Sequence, residues 1–302
     1  MSELAIEVRK KRRKKYNPGL SMVIPVIGIM IISYGIFLIF PIGYAMVGSL
    51  FQWNPMQNIF NFIGGANYIE AFKFPLMWKS LLNSIYFALV VVLIRTAIGL
   101  IFAVLINNVR YFKSFFRTVY FLPVVTSMVA VSLIWVNLLY NPAFGIFNQI
   151  LRSLGLPTSD WLKSDSSAMP SIMLLTIWKD SGYAVVLYLA GLQTIPAQLM
   201  EAATIDGAGR IKIFRYITVP LLSNTTLLVV ITGSIAYLQA FTQIMMMTQG
   251  GPGTATYTMV YYLYYEAFTK YNFGYASALS AILFVVIMIF TLIQMKLNRE
   301  AD

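Results

Sequence analysis

Apolar residues run through this chain in six long blocks, not in the short amphipathic periods of a soluble fold. The blocks cover about residues 22–48, 80–106, 118–140, 169–193, 220–245 and 275–295. Each supplies the roughly 17–25 apolar residues that a helix needs to cross hydrocarbon. No Asp, Glu, Lys or Arg occurs from Tyr16 to Ile69 or from Tyr216 to Tyr265. The pattern predicts an all-α integral membrane protein with six transmembrane helices. The first block is too long for the core of a cleaved leader and lacks an A-x-A site after it, so it is expected to remain as a helix.

The polar stretches between the blocks set the orientation. Fifteen of the 22 Lys and Arg fall on the side of the N-terminus, five fall on the other side, and Arg95 and Lys179 lie inside blocks. The positive-inside bias makes both termini cytoplasmic. Residues 1–19 read as a basic cytoplasmic segment, 20–297 as the transmembrane domain and 298–302 as a cytoplasmic tail. Outside, residues 141–168 begin with a short amphipathic helix, Phe144–Leu151. A later external loop carries Gly250-Gly251-Pro252-Gly253 and then Tyr261-Tyr262-Leu263-Tyr264-Tyr265, which reads as an interfacial aromatic belt.

Composition narrows the function. With 59% hydrophobic and 11% charged residues, a soluble or disordered chain is excluded. The net charge of +11 is concentrated in Arg9–Lys15 beside the first block, which points to a membrane surface and away from nucleic acid. The chain has no Cys and no His, so thiol and imidazole chemistry and His/Cys metal sites are absent, and no cofactor is expected. No Walker A loop is present, which assigns any nucleotide hydrolysis to another chain.

The most informative polar stretch is Ile195–Pro220, between the fourth and fifth blocks. Pro196 suits a first helical position. Leu199, Ala202, Ala203 and Ile205 then make a narrow stripe of mostly small apolar residues. Asp206-Gly207 ends the helix where a left-handed residue is cheap. Ile211, Phe214 and Ile217 mark a second short amphipathic piece, closed by Pro220. Two short helices hinged at a glycine form an elbow on the cytoplasmic face. Ala202 and Ala203 allow close approach, Glu201 offers a charge, and Phe214 offers an apolar knob.

This segment resembles the EAA loop of binding-protein-dependent ABC importer permeases. That pattern is Glu-Ala-Ala, three residues, Gly, nine residues, then Ile-x-Leu-Pro. Here it stands as Glu201-Ala202-Ala203, Gly207, Ile217, Val219 and Pro220, with Val in place of Leu. Ile205-Asp206-Gly207-Ala208 is similar to the carbohydrate-permease branch of the maltose-permease type, although Asn224 stands where a second Pro is frequent. Arg117…Phe121-Leu122-Pro123…Trp135, Trp161, Trp178…Gly191-Leu192-Gln193-Thr194-Ile195-Pro196, Gly250-Gly251-Pro252 and Phe273–Ala278 extend the resemblance over about residues 20–297. It implies a permease subunit of the prokaryotic cytoplasmic membrane that is not itself an enzyme. The implied partners are a second permease of different sequence, two ATPase subunits and an extracytoplasmic solute-binding protein. The implied coupling residues are Glu201, Ala202, Ala203, Asp206, Gly207 and Phe214, and the cargo is a carbohydrate.

Polar groups inside the blocks are the candidates for contact with cargo. Each charge at a helix centre costs about 2.5–3.5 kcal/mol, so Arg95, Lys179 and Asp180 are expected to face a cavity or a partner. Arg95 lies ~22 Å along its helix and Asp180 ~15 Å along its own from the same side, which places them poorly for a direct pair and gives Arg95 a structural pairing. Asn83, Trp178, Tyr183, Tyr188, Tyr237 and Gln239 supply the aromatic faces and hydrogen-bonding groups that saccharides take, and the same residue types also serve as interfacial belts and interhelical glue. Glycerol phosphate or an amino acid is an alternative cargo. An ion-coupled transporter is disfavoured because Asp180 is the only clear carboxylate within a block and no duplication relates the two halves. A membrane enzyme ranks last, since no block holds paired carboxylates.

Overall fold

A computed structural model describes residues 18–109 and 111–299; the basic run Arg9–Lys15, Arg110 and the last three residues lie outside the described residues. The chain divides into two bodies, residues 1–47 and 48–302. In the first, α1 (Pro18–Tyr34) continues through a wide π-helical turn at Gly35–Ile39 into α2 (Phe40–Gly48). From Val26 to Val47 its large apolar side chains are exposed, Phe37 at 80%. Such a surface belongs in lipid or against another protein.

The second body opens with a β-hairpin, β1 (Phe51–Asn54) against β2 (Ile59–Phe62), in the register Phe51↔Phe62 and Asn54↔Ile59. Asn54 caps the turn by accepting from the Gln57 amide at 3.1 Å, and Asn58 takes the left-handed residue at φ 52°. Alternating aromatics along β1 let Trp53 pack at a tilt against Phe273, ring centres 5.1 Å apart. The block pattern missed this hairpin because it lies outside the apolar runs.

Then follow α3 (Ala66–Lys73), α4 (Pro75–Asn108), α5 (Lys113–Val125), α6 (Met128–Ile134), α7 (Ile146–Ser153) and α8 (Ala168–Leu192). Next come α9 (Ala197–Ile205), α10 (Arg210–Ile213), α11 (Val219–Leu221) and α12 (Ser223–Leu238). The chain ends with α13 (Thr242–Met247), α14 (Met259–Tyr264) and α15 (Phe273–Arg299). Four helices among the described residues are long and apolar enough to cross a membrane, and up to six if each of two bent pairs is one span. The third expected block is the pair α5–α6, bent by 92°. Pro123 sits in the last turn of α5, and Thr126 and Ser127 beyond it are extended (ψ 150° and 129°), which breaks the ladder there. The fifth is bent by 64° between Leu221 and Ser223.

The core centres on α8, whose inward residues Ile172, Leu175, Ala184, Val185 and Tyr188 are fully buried. Gly182 explains how α5 comes so close to it. A Cβ at this position would collide with the Tyr120 carbonyl, so only glycine fits.

Two features between the spans differ from the expectations. The amphipathic helix α7 starts at Ile146 and not Phe144, because Asn141 Oδ1 accepts from the Ala143 and Phe144 amides (3.0 and 3.3 Å) and holds that stretch in a turn. The run Tyr261–Tyr265 is no interfacial belt. Tyr261 and Tyr262 are buried, the other three are half-buried, and Tyr261 packs edge-on against Tyr257 at 4.9 Å. The Gly250–Gly253 loop folds over these rings, and Asn83 Nδ2 donates to the Ala255 and Tyr257 carbonyls at 3.1 and 2.9 Å. Burial there holds the Tyr257 phenol above its ordinary range.

Candidate functional site

The Ile195–Pro220 stretch forms two short helices around Gly207, and its geometry follows from local rules. Pro196 is the residue before α9 and not its first, with φ −60° and ψ 128°, so the helix starts one position later than its sequence suggests. Asp206 closes α9, and Gly207 follows at φ +75°. The Gly207 amide bonds to the Thr204 carbonyl at 3.1 Å and the Ala208 amide to the Ala203 carbonyl at 2.9 Å. These two bonds satisfy carbonyls that the helix end would leave open.

Nothing in α9 is buried. Glu201, Ala202, Asp206 and Gly207 are exposed, while Ala203 is half-buried. Leu199 (44%), Ile205 (86%) and Ile211 (82%) present apolar side chains to the outside. Phe214 turns the other way. It lines a cavity of about 460 Å³ with Met200, Arg210 and Ile213 and with Val104 and Asn108 at the end of α4. The apolar knobs of this surface are therefore Ile205 and Ile211, with Phe214 at its root.

Within the membrane-spanning helices a second arrangement gathers residues from far apart in sequence. Arg95, in α4, is 4% exposed. Its Nη1 donates to the Tyr237 hydroxyl at 2.9 Å, and that hydroxyl donates to Asp180 Oδ2 at 3.1 Å. Tyr183 and Tyr237 present their rings to the guanidinium, 5.4 and 5.5 Å from Cζ to the ring centres. Asp180 Oδ1 also meets Lys179 Nζ at 3.5 Å, and Lys179 donates on to the Val124 carbonyl at 3.1 Å. The chain of contacts thus ties α4, α12, α8 and α5 together. Arg95 and Asp180 make no direct pair, in line with their axial offset, and Tyr237 spans the gap.

Arg95, Asp180, Tyr183, Thr232 and Tyr237 border a cavity of about 300 Å³. Asp180, Tyr183 and Tyr237 were legible as individual candidates, and Arg95 as a buried charge with a structural pairing. Thr232 was missed, because nothing in its local sequence separates it from a helix-bonded threonine. Its hydroxyl does donate to the Leu228 carbonyl at 2.7 Å.

The other candidates lie elsewhere. Asn83 is engaged by the Ala255 and Tyr257 carbonyls, as described above. Trp178 is 47% exposed and packs on Trp135 with ring centres 5.4 Å apart. Tyr188 is fully buried and its hydroxyl bonds to Thr226 at 3.0 Å. Gln239 is exposed and donates back to the Ile235 carbonyl of its own helix at 3.1 Å. Among the described residues no group of three or more His, Cys, Asp or Glu could hold a metal ion.

The sequence and the fold both resemble those of known proteins. The chain is 38% identical over 265 residues, 86% of its length and 90% of the relative's, to "Probable ABC transporter permease protein YurN" of Bacillus subtilis (strain 168). It is 31% identical over 290 residues, 96% of each chain, to "Trehalose/maltose transport system permease protein MalF" of Thermococcus litoralis. In fold it is similar to a chain in the crystal structure of a bacterial alginate ABC transporter in complex with an alginate pentasaccharide-bound periplasmic protein. The TM-score is 0.80, with 22% identity and 94% of each chain covered. Residues 95–301 match the family described as the binding-protein-dependent transport system inner membrane component, and the chain belongs to that family.

Proposed function

We propose that this chain forms half of the translocation pathway of an ATP-driven importer for a carbohydrate, an oligosaccharide in particular. In this reading each bent pair counts as one span, so that the chain crosses a prokaryotic inner membrane six times with both termini in the cytoplasm. The elbow α9–α10 sits in an ATPase subunit through Glu201, Ala202, Ala203, Asp206 and Gly207, with Phe214 bracing it from behind. A second permease of different sequence completes the pathway, two ATPase subunits drive it, and an extracytoplasmic binding protein delivers the cargo. The relative named for trehalose and maltose transport supports carbohydrate as that cargo.

The elbow is the observation that carries this reading. A nine-residue helix with no buried residue, ended at a glycine and displaying Ile205 and Ile211, has no packing reason to be ordered by itself. A partner surface supplies one. Movement of that partner then shifts the balance between two arrangements of the spans.

Reconstitution tests it. Vesicles holding this chain, its permease partner and the ATPases are expected to accumulate labelled oligosaccharide only with both ATP and the binding protein. Accumulation by the chain alone, without ATP, overturns the reading.

A further inference from the structure

The guanidinium of Arg95 is only half used. Nη1 has its bond to Tyr237, but Nε and Nη2 are buried without any hydrogen-bond partner. Those two atoms form one edge of the planar fork, the edge that meets an oxyanion through two parallel N–H···O bonds. An arginine stays charged whatever its surroundings, so the unmet donors are also an unmet charge. Asp180 does not answer it. One of its oxygens takes the Tyr237 hydroxyl and the other faces Lys179. Arg95, Lys179 and Asp180 together leave one positive charge in excess at a cluster within the apolar spans. An uncompensated charge of this kind is strongly unfavourable unless function requires it.

The cavity of about 300 Å³ adjoins the same side chain. Taking it as part of the cargo path of the carbohydrate importer proposed above, we infer that it selects an acidic saccharide, a sugar carrying a carboxylate or an oxyanion of like geometry. The oxyanion takes the Nε–Nη2 edge of Arg95 and cancels the excess charge. Sugar hydroxyls donate to Asp180 and bond to Thr232, and the apolar C–H face of the ring lies on Tyr183. The edge is sealed from solvent in the present conformation, so engagement occurs in the state where α4, α8 and α12 part around the cavity. Arg95 is then a specificity-determining residue, and Tyr237, which holds Nη1, positions it.

The test uses the assembled importer, without its binding protein, in lipid nanodiscs. Equilibrium binding is measured for matched acid and neutral disaccharides of galacturonate and galactose, glucuronate and glucose, and mannuronate and mannose, with glycerol 3-phosphate as a further arm. An acid is expected to bind at least about tenfold tighter than its neutral match, since a hydrogen bond to a charged group is worth that factor or more. Arg95→Gln is expected to erase the preference, and Arg95→Lys to keep part of it. The wild-type comparison needs no variant, so poor assembly of Arg95→Gln does not block it. Neutral sugars binding as well as acids overturns the inference and leaves carbohydrate import standing. Binding of no sugar at all likewise overturns the inference alone, whereas binding of glycerol 3-phosphate in preference to every sugar overturns both.

Discussion

The elbow and the Arg95 cluster are assembled by opposite means. Between Pro196 and Ala208 every defining contact joins residues at most five positions apart: the two amide bonds that close α9, and the left-handed glycine they require. The cluster is the reverse. Arg95 meets Tyr237 across 142 positions, and Tyr237 meets Asp180 across 57. The elbow is exposed and closed by its own short-range bonds, so its conformation hardly depends on how the bundle packs. The cluster exists only while α4, α8 and α12 are packed. Damage to the helix interfaces should therefore remove the protein, whereas damage to the elbow should remove coupling and leave the protein in place.

The largest expected effect falls on the interface side. Gly182→Val puts a branched side chain where even a Cβ would meet the Tyr120 carbonyl, and backbone cannot step aside as a flexible side chain can. Separating α5 from α8 should cost about 3 kcal/mol or more, the range of severe core changes. Thermal unfolding of the purified protein and its yield in the membrane measure this. Normal stability of the Gly182→Val variant would show that α5 and α8 are not held together here.

Gly207→Pro is the matching test on the elbow. Proline fixes φ near −65°, against the +75° observed, and it deletes the amide that bonds to Thr204. ATP-driven uptake should be abolished while insertion and bundle stability stay within about 0.5 kcal/mol of the wild type, as for exposed sites generally. Co-purification with the ATPase should fall together with uptake. If Gly207→Pro instead unfolds the bundle, the elbow is part of the core and the contrast fails.

The same division governs what the sequence makes legible. The elbow could be read from Pro196, the small stripe and Asp206-Gly207 because each acts on its immediate neighbours. Helix existence was legible for the same reason, and so was the placement of charges inside spans. The convergence of Arg95, Asp180, Tyr183 and Tyr237 was not, since axial depth alone says nothing of how helices rotate against one another. The buried tyrosines at 261 and 262 were misread on similar grounds. Composition cannot separate a lipid-facing belt from a packed one, and only the fold of the Gly250–Gly253 loop over the rings decides it. The hairpin at 51–62 did carry a signal, in the alternation of Phe51, Trp53 and the turn residues Asn54-Pro55, but the signal is short beside the apolar blocks.

Tyr237→Phe gives the smallest of these effects and the sharpest view of the cluster. The change keeps the ring, including its edge-on contact with Phe87 at 6.3 Å, and removes one oxygen. That oxygen accepts from Arg95 and donates to Asp180, so both bonds are lost and the guanidinium keeps its ring contacts but no side-chain hydrogen-bond partner. Leaving buried charged donors unmet should lower stability by about 1–3 kcal/mol. The informative measurement is the double change with Arg95→Met. If the residues act as one unit, removing the charge as well removes the penalty of stranding it, and Arg95→Met/Tyr237→Phe should cost less than the two single changes added together, by about 0.5–3 kcal/mol. Strict additivity in the unfolding free energies would mean that Tyr237 and Arg95 are neighbours without being coupled. The path from α4 to α8 through that hydroxyl would then carry no energy, and the cluster would be side chains that adjoin one another and no more.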